Sequence, residues 1–565
     1  MCGIFSILNN DNLFSSKEVY DSFKKTSNRG PENSQLERVN ILCDFGFHRL
    51  AINGLNTKSN QPIVFEDITL ICNGEIYNYK ELYKELSVEP TTDSDCEIII
   101  HLFLRYGIEY TLQKLDGVFA FMLCDSRLTN EESQLYIARD PYGVRPLYHM
   151  RSRSTTLNIT AFASEIKSLI QLYNFLNGTH DIIHFEPGTY SLFSLPFIVS
   201  PKWSAVIENR SYHSTGFVSH IISSTYEEHD IYSNIRNLLC SAVQKRVLNT
   251  ERPIACLLSG GLDSSLITAL VNYYRSQNTP LETYSIGLEG SEDLRNAKIV
   301  ADYLGTKHTE VILSESDFTN AIPEVIYSIE SYDTTTVRAS IGNYLLAKYI
   351  AANSDAKVIF NGDGSDEVCG GYLYMGCAPN AYDFDCECRR LLADIHKYDV
   401  LRSDKSISSN GLEPRTPFLD RSFVQYYLSI HPQKRFHTKN NVCEKFLLRK
   451  AFQDGFDKPL LPSEILWRKK EAFSDGVSKT ERSLFTIIQE YVEIQMVDPY
   501  KWVKYISYPI TNEQKYYRSL YDNYYPHTKK VVPYYWMPKW VDATDASART
   551  LTIYNQTQTT THLHS

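Results

Sequence analysis

A chain of 565 residues, 43% hydrophobic and 22% charged, has room for several domains and enough apolar side chains to fill their cores. Its net charge of -10 argues against nucleic acid or an anionic membrane as the main partner, and no apolar run is long enough to span a bilayer. The opening Met1–Leu8 is apolar but too short for a signal peptide and has no basic leader, so the expected location is cytoplasmic. The 12 cysteines are scattered, with no Cys-x-x-Cys pair, which fits buried thiols in a reducing compartment rather than a zinc site.

Cys2 directly follows Met1. A small residue at position 2 normally lets the methionine be removed, which would leave a thiol and an α-amine on one residue. That amine, with a pKa of about 7.7, can act as a general base for its own side chain. Four stretches then follow in order: Arg29-Gly30-Pro31, His48-Arg49-Leu50-Ala51-Ile52, Asn73-Gly74-Glu75-Ile76-Tyr77-Asn78 and Ser94-Asp95-Cys96-Glu97. With Cys2-Gly3-Ile4-Phe5 they resemble the class II glutamine amidotransferases, whose N-terminal cysteine is the nucleophile. The residue types suit glutamine: Arg49 offers a planar fork to its carboxylate, and Glu75 and Asp95 offer negative charge to its ammonium. Thiolate attack builds an oxyanion, and the resemblance implies the Asn73 side chain and the Gly74 N–H as its donors. It also implies that the backbone of Leu50, Ala51, Ile52 and Asn53 lines the glutamine site. The family usually has Asp where this chain has Asn53.

Alternating apolar runs at Ile68–Cys72, Val118–Cys124 and Gln134–Ala138 predict short strands. Gly117–Phe121, Arg139–Tyr148, Ala163–Lys167 and Pro187–Tyr190 also resemble the amidotransferase domain. Arg139-Asp140 reads either as part of a turn or as an ion pair between domains. Residues 1–200 are thus expected as an α+β N-terminal-nucleophile glutaminase domain, with layered antiparallel sheets and helices. Residues 201–230, polar and aperiodic, read as a linker. A helix pattern begins near Ile231.

From Pro253 the pattern becomes strand, helix, strand, with apolar runs at Ile254–Leu258, Thr283–Leu288, Thr309–Leu313 and Lys357–Phe360. This predicts an α/β doubly wound parallel sheet, whose ligands sit beyond the carboxyl ends of the strands. Three small-residue or acidic loops fall at those ends. The first, Ser259–Ser265 (Ser-Gly-Gly-Leu-Asp-Ser-Ser), joins a strand to a helix. Gly260 and Gly261 let backbone approach a ligand, and Ser259, Ser264 and Ser265 supply hydroxyls. Asp263 adds a carboxylate for a hard cation such as Mg²⁺. No Gly-Lys-Ser/Thr follows, so the loop is not a Walker A but a different pyrophosphate or triphosphate cradle. Ser285-Ile286-Gly287 and Asn361–Glu367 end the second and fourth runs.

Ser259–Ser265 resembles the pyrophosphate loop of ATP-pyrophosphatases. Taken with Tyr332–Arg338, Phe360–Tyr372, Asn410–Asp420 and Leu466–Val477, it resembles the synthetase half of glutamine-dependent asparagine synthetases. The resemblance implies an ATP-pyrophosphatase synthetase domain over residues 231–545, followed by a polar tail, 546–565. It implies that glutamine is hydrolysed in the first domain and that ATP and aspartate form β-aspartyl-AMP in the second, where ammonia displaces AMP. Leu257 and Ile286 would pack around adenosine, and Asn361 and Gly362 would contact it through backbone. Asp263 and Asp366 would hold Mg²⁺. Lys470 would neutralise the leaving groups. Thr335, Thr336 and Arg338 would lie near the phosphates and the aspartate. Glu413 and Arg415 read equally as a bracing ion pair or as substrate contacts. The family's Ser-Gly-Glu is Asn361-Gly362-Asp363 here, so the candidate base Asp363 is one methylene shorter, and activity is expected to persist. The retained Cys2 argues against β-lactam synthetases, the adenylating loop argues against purine-type amidotransferases, and retained Asp263 and Lys470 argue against a non-catalytic regulator. The resemblance also implies a homodimer through the first domain.

Overall fold

Two antiparallel sheets, face to face, form the first half of the chain. In the first, strands lie in the order His180–His184, Tyr148–Ser152, Thr160–Ala163, Gly3–Leu8, Cys43–Arg49, Asn33–Asn40. In the second the order is Ser204–Ser211, Thr189–Pro196, Glu132–Arg139, Gly117–Asp125, Ile68–Ile76, Ile63–Phe65. Ile4, Phe45, Phe47, Ile71, Met122, Ile137, Phe162 and Trp203 fill the space between them. Helices Tyr79–Leu86 and Ile98–Lys114 cover the outside of the second sheet, and Ser16–Lys24 and Ile170–Phe175 that of the first. Layered sheets with helices outside match the expected α+β arrangement.

This computed structural model describes residues 1–127, 132–153, 158–176, 178–197, 201–215, 227–275, 279–438, 443–468, 470, 476–478, 482–495, 510–528, 530–543, 545 and 547. Most of the expected tail 546–565 and part of Leu466–Val477 lie outside them. Among the described residues no helix is long and apolar enough to cross a membrane.

The linker expected over 201–230 needs correction. Ser204–Ser211 pairs antiparallel with Thr189–Pro196 and closes one edge of the second sheet. Its residues are almost all solvent-exposed, so no apolar alternation marks it in the sequence. The next helix starts at Glu228 and runs to Leu248.

The second half is built on one parallel sheet, ordered Lys307–Ile312, Glu282–Gly287, Ile254–Leu257, Val358–Phe360, Glu413–Arg415. Four strands coincide with the predicted runs. The fifth has no apolar run to reveal it, being Glu413-Pro414-Arg415, and proline is admissible there because the strand lies at an edge.

A ten-residue helix, Asp399–Ser408, touches both halves. Its first turn faces the loops at the carboxyl end of the parallel sheet, where Asp399 accepts the Gly364 N–H at 3.2 Å. Its last turn faces the first domain, where Arg29 donates to Asp404 and to Ser408, each at 2.8 Å. Lys405 bonds Tyr148 at 2.6 Å and pairs with buried Glu330, whose carboxylate also accepts the N–H groups of Ile166 and Lys167.

Candidate functional site

Two sites form, one in each half. The first lies at the N-terminal end of strand Gly3–Leu8. Cys2 precedes that strand, and its thiol donates to the Leu50 carbonyl at 3.5 Å. Burial raises the thiol pKa against the nearby terminal ammonium. That ammonium belongs to Met1, is itself buried, and donates to Leu412 O across the domain boundary at 3.1 Å. Burial lowers its pKa to about 5.

Asn73 and Gly74 lie on strand Ile68–Ile76. Neither polar atom of the buried Asn73 amide has a hydrogen-bond partner. An orphaned buried amide costs roughly 1–3 kcal/mol, so its persistence points to a ligand that would use it. A Cβ on Gly74 would meet Val118 O at 2.4 Å, so only glycine fits this strand position. Asp95 accepts the Ile76 N–H at 2.6 Å, and burial pushes its carboxyl up to about 6. Glu75 is raised well above the usual range by burial, with Glu413 and Asp95 adding to it. Its Oε2 accepts from Asn53 at 2.8 Å and Asn249 at 3.2 Å and pairs with Arg415 at 3.4 Å.

Arg49 is placed differently from the simple fork. Its two terminal nitrogens donate to Asn56 O, the Asn60 side chain, Asn53 O and Gly54 O. They shape the loop after strand Cys43–Arg49. Leu50, Ala51 and Ile52 are buried in that loop, with the Ala51 carbonyl accepting from Arg252 at 2.7 Å and the Ile52 carbonyl from the Glu251 N–H at 3.1 Å.

The second site is a cleft over the carboxyl ends of the parallel strands. All three predicted loops reach it: Leu257, Ser259, Gly261, Asp263, Ser264, Ile286, Asn361, Gly362, Asp363 and Asp366 line it, as do Thr335 and Lys470. Ser259 and Ser264 bond each other at 3.0 Å across the first loop, and Asp263 sits in the first turn of helix Leu262–Tyr274. A Cβ on Gly362 would meet the Asp263 backbone at 2.8 Å, so the third loop packs directly on the first.

Four predicted residues do not reach the cleft. Gly260 has φ +70° and lies against Asn296 and Ala297, where a Cβ would fall within 2.5 Å of backbone. Ser265 is fully buried within helix Leu262–Tyr274. Thr336 bonds Asp333, which caps helix Thr334–Asn353. Arg338 is buried and ion-paired with Glu513 and Asp545. Its motif neighbour Thr335 faces the cleft with Ala339 and Asn343, one turn apart; Arg338 lies beside that stripe and its long side chain is turned aside to its two carboxylate partners.

Lys445 escapes the sequence reading. It donates to both oxygens of Asp263, at 2.8 and 2.6 Å, and stands 2.6 Å from Asp366. Lys470 approaches Asp366 at 2.6 Å and Asp263 at 3.8 Å. Burial alone would raise Asp366, but the two ammonium groups outweigh it and hold the carboxyl below its usual range. Lys445 has φ 56°, a left-handed conformation rare for a side chain of this size. Such local strain persists where the surroundings impose it. No motif surrounds it in the sequence.

Asp399 and Arg402 also line the cleft unforeseen, and they pair with each other. Burial pushes Asp399 up to about 6, with Arg402 pulling down and Asp363 and Asp366 pushing up. Glu367 is raised further, by burial first, while the Tyr372 hydroxyl donates to it at 2.5 Å. The signal available was one helix carrying Asp399, Arg402 and Ser403 on one turn.

Two open readings close. Arg415 bonds Glu413 at 2.8 Å and reaches Glu75, so this pair braces the boundary between the halves. Arg139 donates to the carbonyls of Gly143, Arg145 and Phe185, and Asp140 accepts N–H groups of Tyr142, Val144 and Arg145. They fasten a turn inside the first domain.

Among the described residues no three ligating side chains cluster as a metal cage. Asp263 and Asp366 still fit Mg²⁺, which commonly takes one or two protein carboxylates and completes its shell with phosphate oxygens and water.

A glutamine amidotransferase domain model matches residues 1–183, and an asparagine synthase model matches 234–383 and 377–509. The glutamine-hydrolysing asparagine synthetase of Gallus gallus is 42% identical over 571 residues, 98% of this chain and 99% of that one. That of Homo sapiens is 41% identical over 573 residues, again 98% and 99%. A solved glutamine-dependent NAD+ synthetase from Acinetobacter baumannii overlaps at 13% identity and a TM-score of 0.24, covering 57% of this chain and 46% of its own. The full-length sequence matches and the two domain models, in the order the residues themselves suggest, place this chain in the family of glutamine-hydrolysing asparagine synthetases.

Proposed function

We propose that this chain makes asparagine from aspartate, ATP and glutamine, releasing AMP, diphosphate and glutamate. The observation that carries the reading is the cleft in which a phosphate-cradling loop, two carboxylates and two lysines meet.

In the first site, removal of Met1 would free the Cys2 amine to take the thiol proton. The thiolate attacks the glutamine side-chain carbonyl, and the unpartnered Asn73 amide and the Gly74 N–H receive the oxyanion. Ammonia leaves, and water hydrolyses the thioester to glutamate. Asp95 and Glu75 balance the substrate's ammonium. Arg49 shapes the loop through Asn53 and retains one guanidinium N–H for the carboxylate.

In the second site, Leu257 and Ile286 flank the adenosine, and Ser259, Gly261 and Ser264 cradle the phosphates. Mg²⁺ bound by Asp263 and Asp366 would offset phosphate charge. The aspartate side-chain carboxylate attacks the α-phosphorus, and diphosphate leaves, its charge met by Lys445 and Lys470. Ammonia attacks the acyl carbon, Asp363 takes its proton, and AMP departs. Thr335 faces the phosphates. Arg402 and Asp399, of opposite charge on one helical turn, suit the α-carboxylate and α-ammonium of aspartate. A homodimer belongs to the same proposal, and sedimentation would test it.

The test is product formation from aspartate and Mg-ATP with either glutamine or ammonium. Equal amounts of AMP, diphosphate and asparagine from both nitrogen sources are expected. Glutamate release without AMP would refute the second half of the reading.

A further inference from the structure

We infer that Asn361 is a positioning residue for the base Asp363, an assignment that rests on the proposed role of that carboxylate. Asn361 ends strand Val358–Phe360, where its backbone N–H is fixed by Arg415 O at 3.2 Å. Its buried side chain is fully used. One Nδ2 hydrogen goes to Asp363 Oδ2 at 2.7 Å and the other to Ser403 Oγ at 2.8 Å. Its Oδ1 accepts the Asp363 N–H at 3.3 Å. The amide therefore grips Asp363 by backbone and carboxylate together, and is itself anchored to the helix Asp399–Ser408. Arg402 stands 3.6 Å from the other oxygen, Oδ1, while committed to Asp399.

An aspartate here reaches about 1.5 Å less far than a glutamate, roughly one C–C bond. It also has one fewer rotatable bond, so a single firm contact can set its direction. A serine at 361 has one donor where the amide has two, so it could not donate to Asp363 and Ser403 at once as Asn361 does. Asn361 and Asp363 therefore work as a matched pair: the amide holds the shorter base where it faces the acyl-adenylate, and each residue suits the other better than it suits a serine or glutamate partner.

The prediction separates two steps of one enzyme. Aspartate-dependent exchange of pyrophosphate into ATP reports adenylation, and asparagine release with saturating ammonium reports the attack. In Asn361→Ser, asparagine release should fall about tenfold or more relative to exchange, mainly in kcat. Asp363→Glu alone should fall similarly, because the grip is set for the shorter chain. The double variant N361S/D363E should recover most of the ratio. Ser403→Ala, which removes only the anchor, should give a smaller loss of the same kind and serves if Asn361→Ser does not fold. Equal ratios in wild type, Asn361→Ser and Ser403→Ala, or losses in the double variant that merely add, would overturn the pairing. Asp363→Asn tests the underlying reading separately: if it releases asparagine normally, Asp363 is not the base, whatever Asn361 does.

Discussion

Burial raises the carboxylates of both sites, but Asp366 in the cleft, unlike its neighbours Asp399 and Glu367, still ends below its usual range, while Glu75 and Asp95 in the first site stay raised. In the first site Arg415, shared between Glu75 and Glu413, is outweighed, and desolvation pushes both Glu75 and Asp95 upward. In the cleft Asp366 is no better hydrated, yet Lys445 and Lys470 hold it down. The difference follows from what each site would receive. Glutamine would bring its own ammonium, and two carboxyls that Arg415 does not fully compensate leave a role for it. ATP brings several negative charges, so the cleft holds lysines in advance, parked on aspartates until phosphate arrives.

The largest expected effect breaks the two sites apart. Cys2→Ala should abolish glutamine-driven asparagine formation by more than about 10³-fold and leave ammonium-driven synthesis within about twofold. Coupled loss of both would mean that the thiol also supports the cleft.

Asn73→Ala comes next. If Asn73 is the oxyanion donor proposed above, its loss should lower glutaminase kcat by about 10²–10³-fold with little change in KM. A change mostly in KM would assign the amide to ground-state binding.

Lys445→Met should lower pyrophosphate exchange by about 10²-fold while glutaminase activity holds. Lys470 remains beside Asp366, which is why the loss should be smaller than a nucleophile's. Lys470→Met in the same assay ranks the two cations. A larger effect at Lys470 would make Lys445 chiefly a partner for the carboxylates.

Much of this contrast was legible in the sequence, and what escaped has physical reasons. Glycine-rich loops at strand ends, Cys2 behind Met1 and Asn73-Gly74 carry local chemistry that a linear reading exposes. Lys445 acts only through contacts more than 70 residues away in the chain, with Asp263 and Asp366, and nothing local marks it. Arg338 misleads for the converse reason. It stands three residues from Thr335, but its partners Glu513 and Asp545 arrive from the C-terminal region and face it away from the cleft. The edge strands Ser204–Ser211 and Glu413–Arg415 lack apolar alternation because one is exposed and the other is made of a proline between two charges.

The smallest effect is also the finest probe of the contrast. Asp95 can balance the glutamine ammonium only when ionised, and in the free protein burial sets its pKa at about 6. The kcat/KM for glutamine hydrolysis reports free-enzyme groups. Ionisation of Asp95 should therefore add a limb at about pH 6 to the one the freed Cys2 amine contributes, whereas pyrophosphate exchange should keep a limb of its own there, because burial also pushes Asp399 in the cleft up to about 6. Asp95→Asn should remove the limb and lower the plateau. Glu75 is the second raised carboxyl in this pocket, and Glu75→Gln separates the two: a limb that survives Asp95→Asn but vanishes in Glu75→Gln belongs to Glu75. A wild-type profile with no limb between about pH 7 and pH 5 would mean that neither carboxyl is pushed up as burial requires, and that Arg415 compensates them after all.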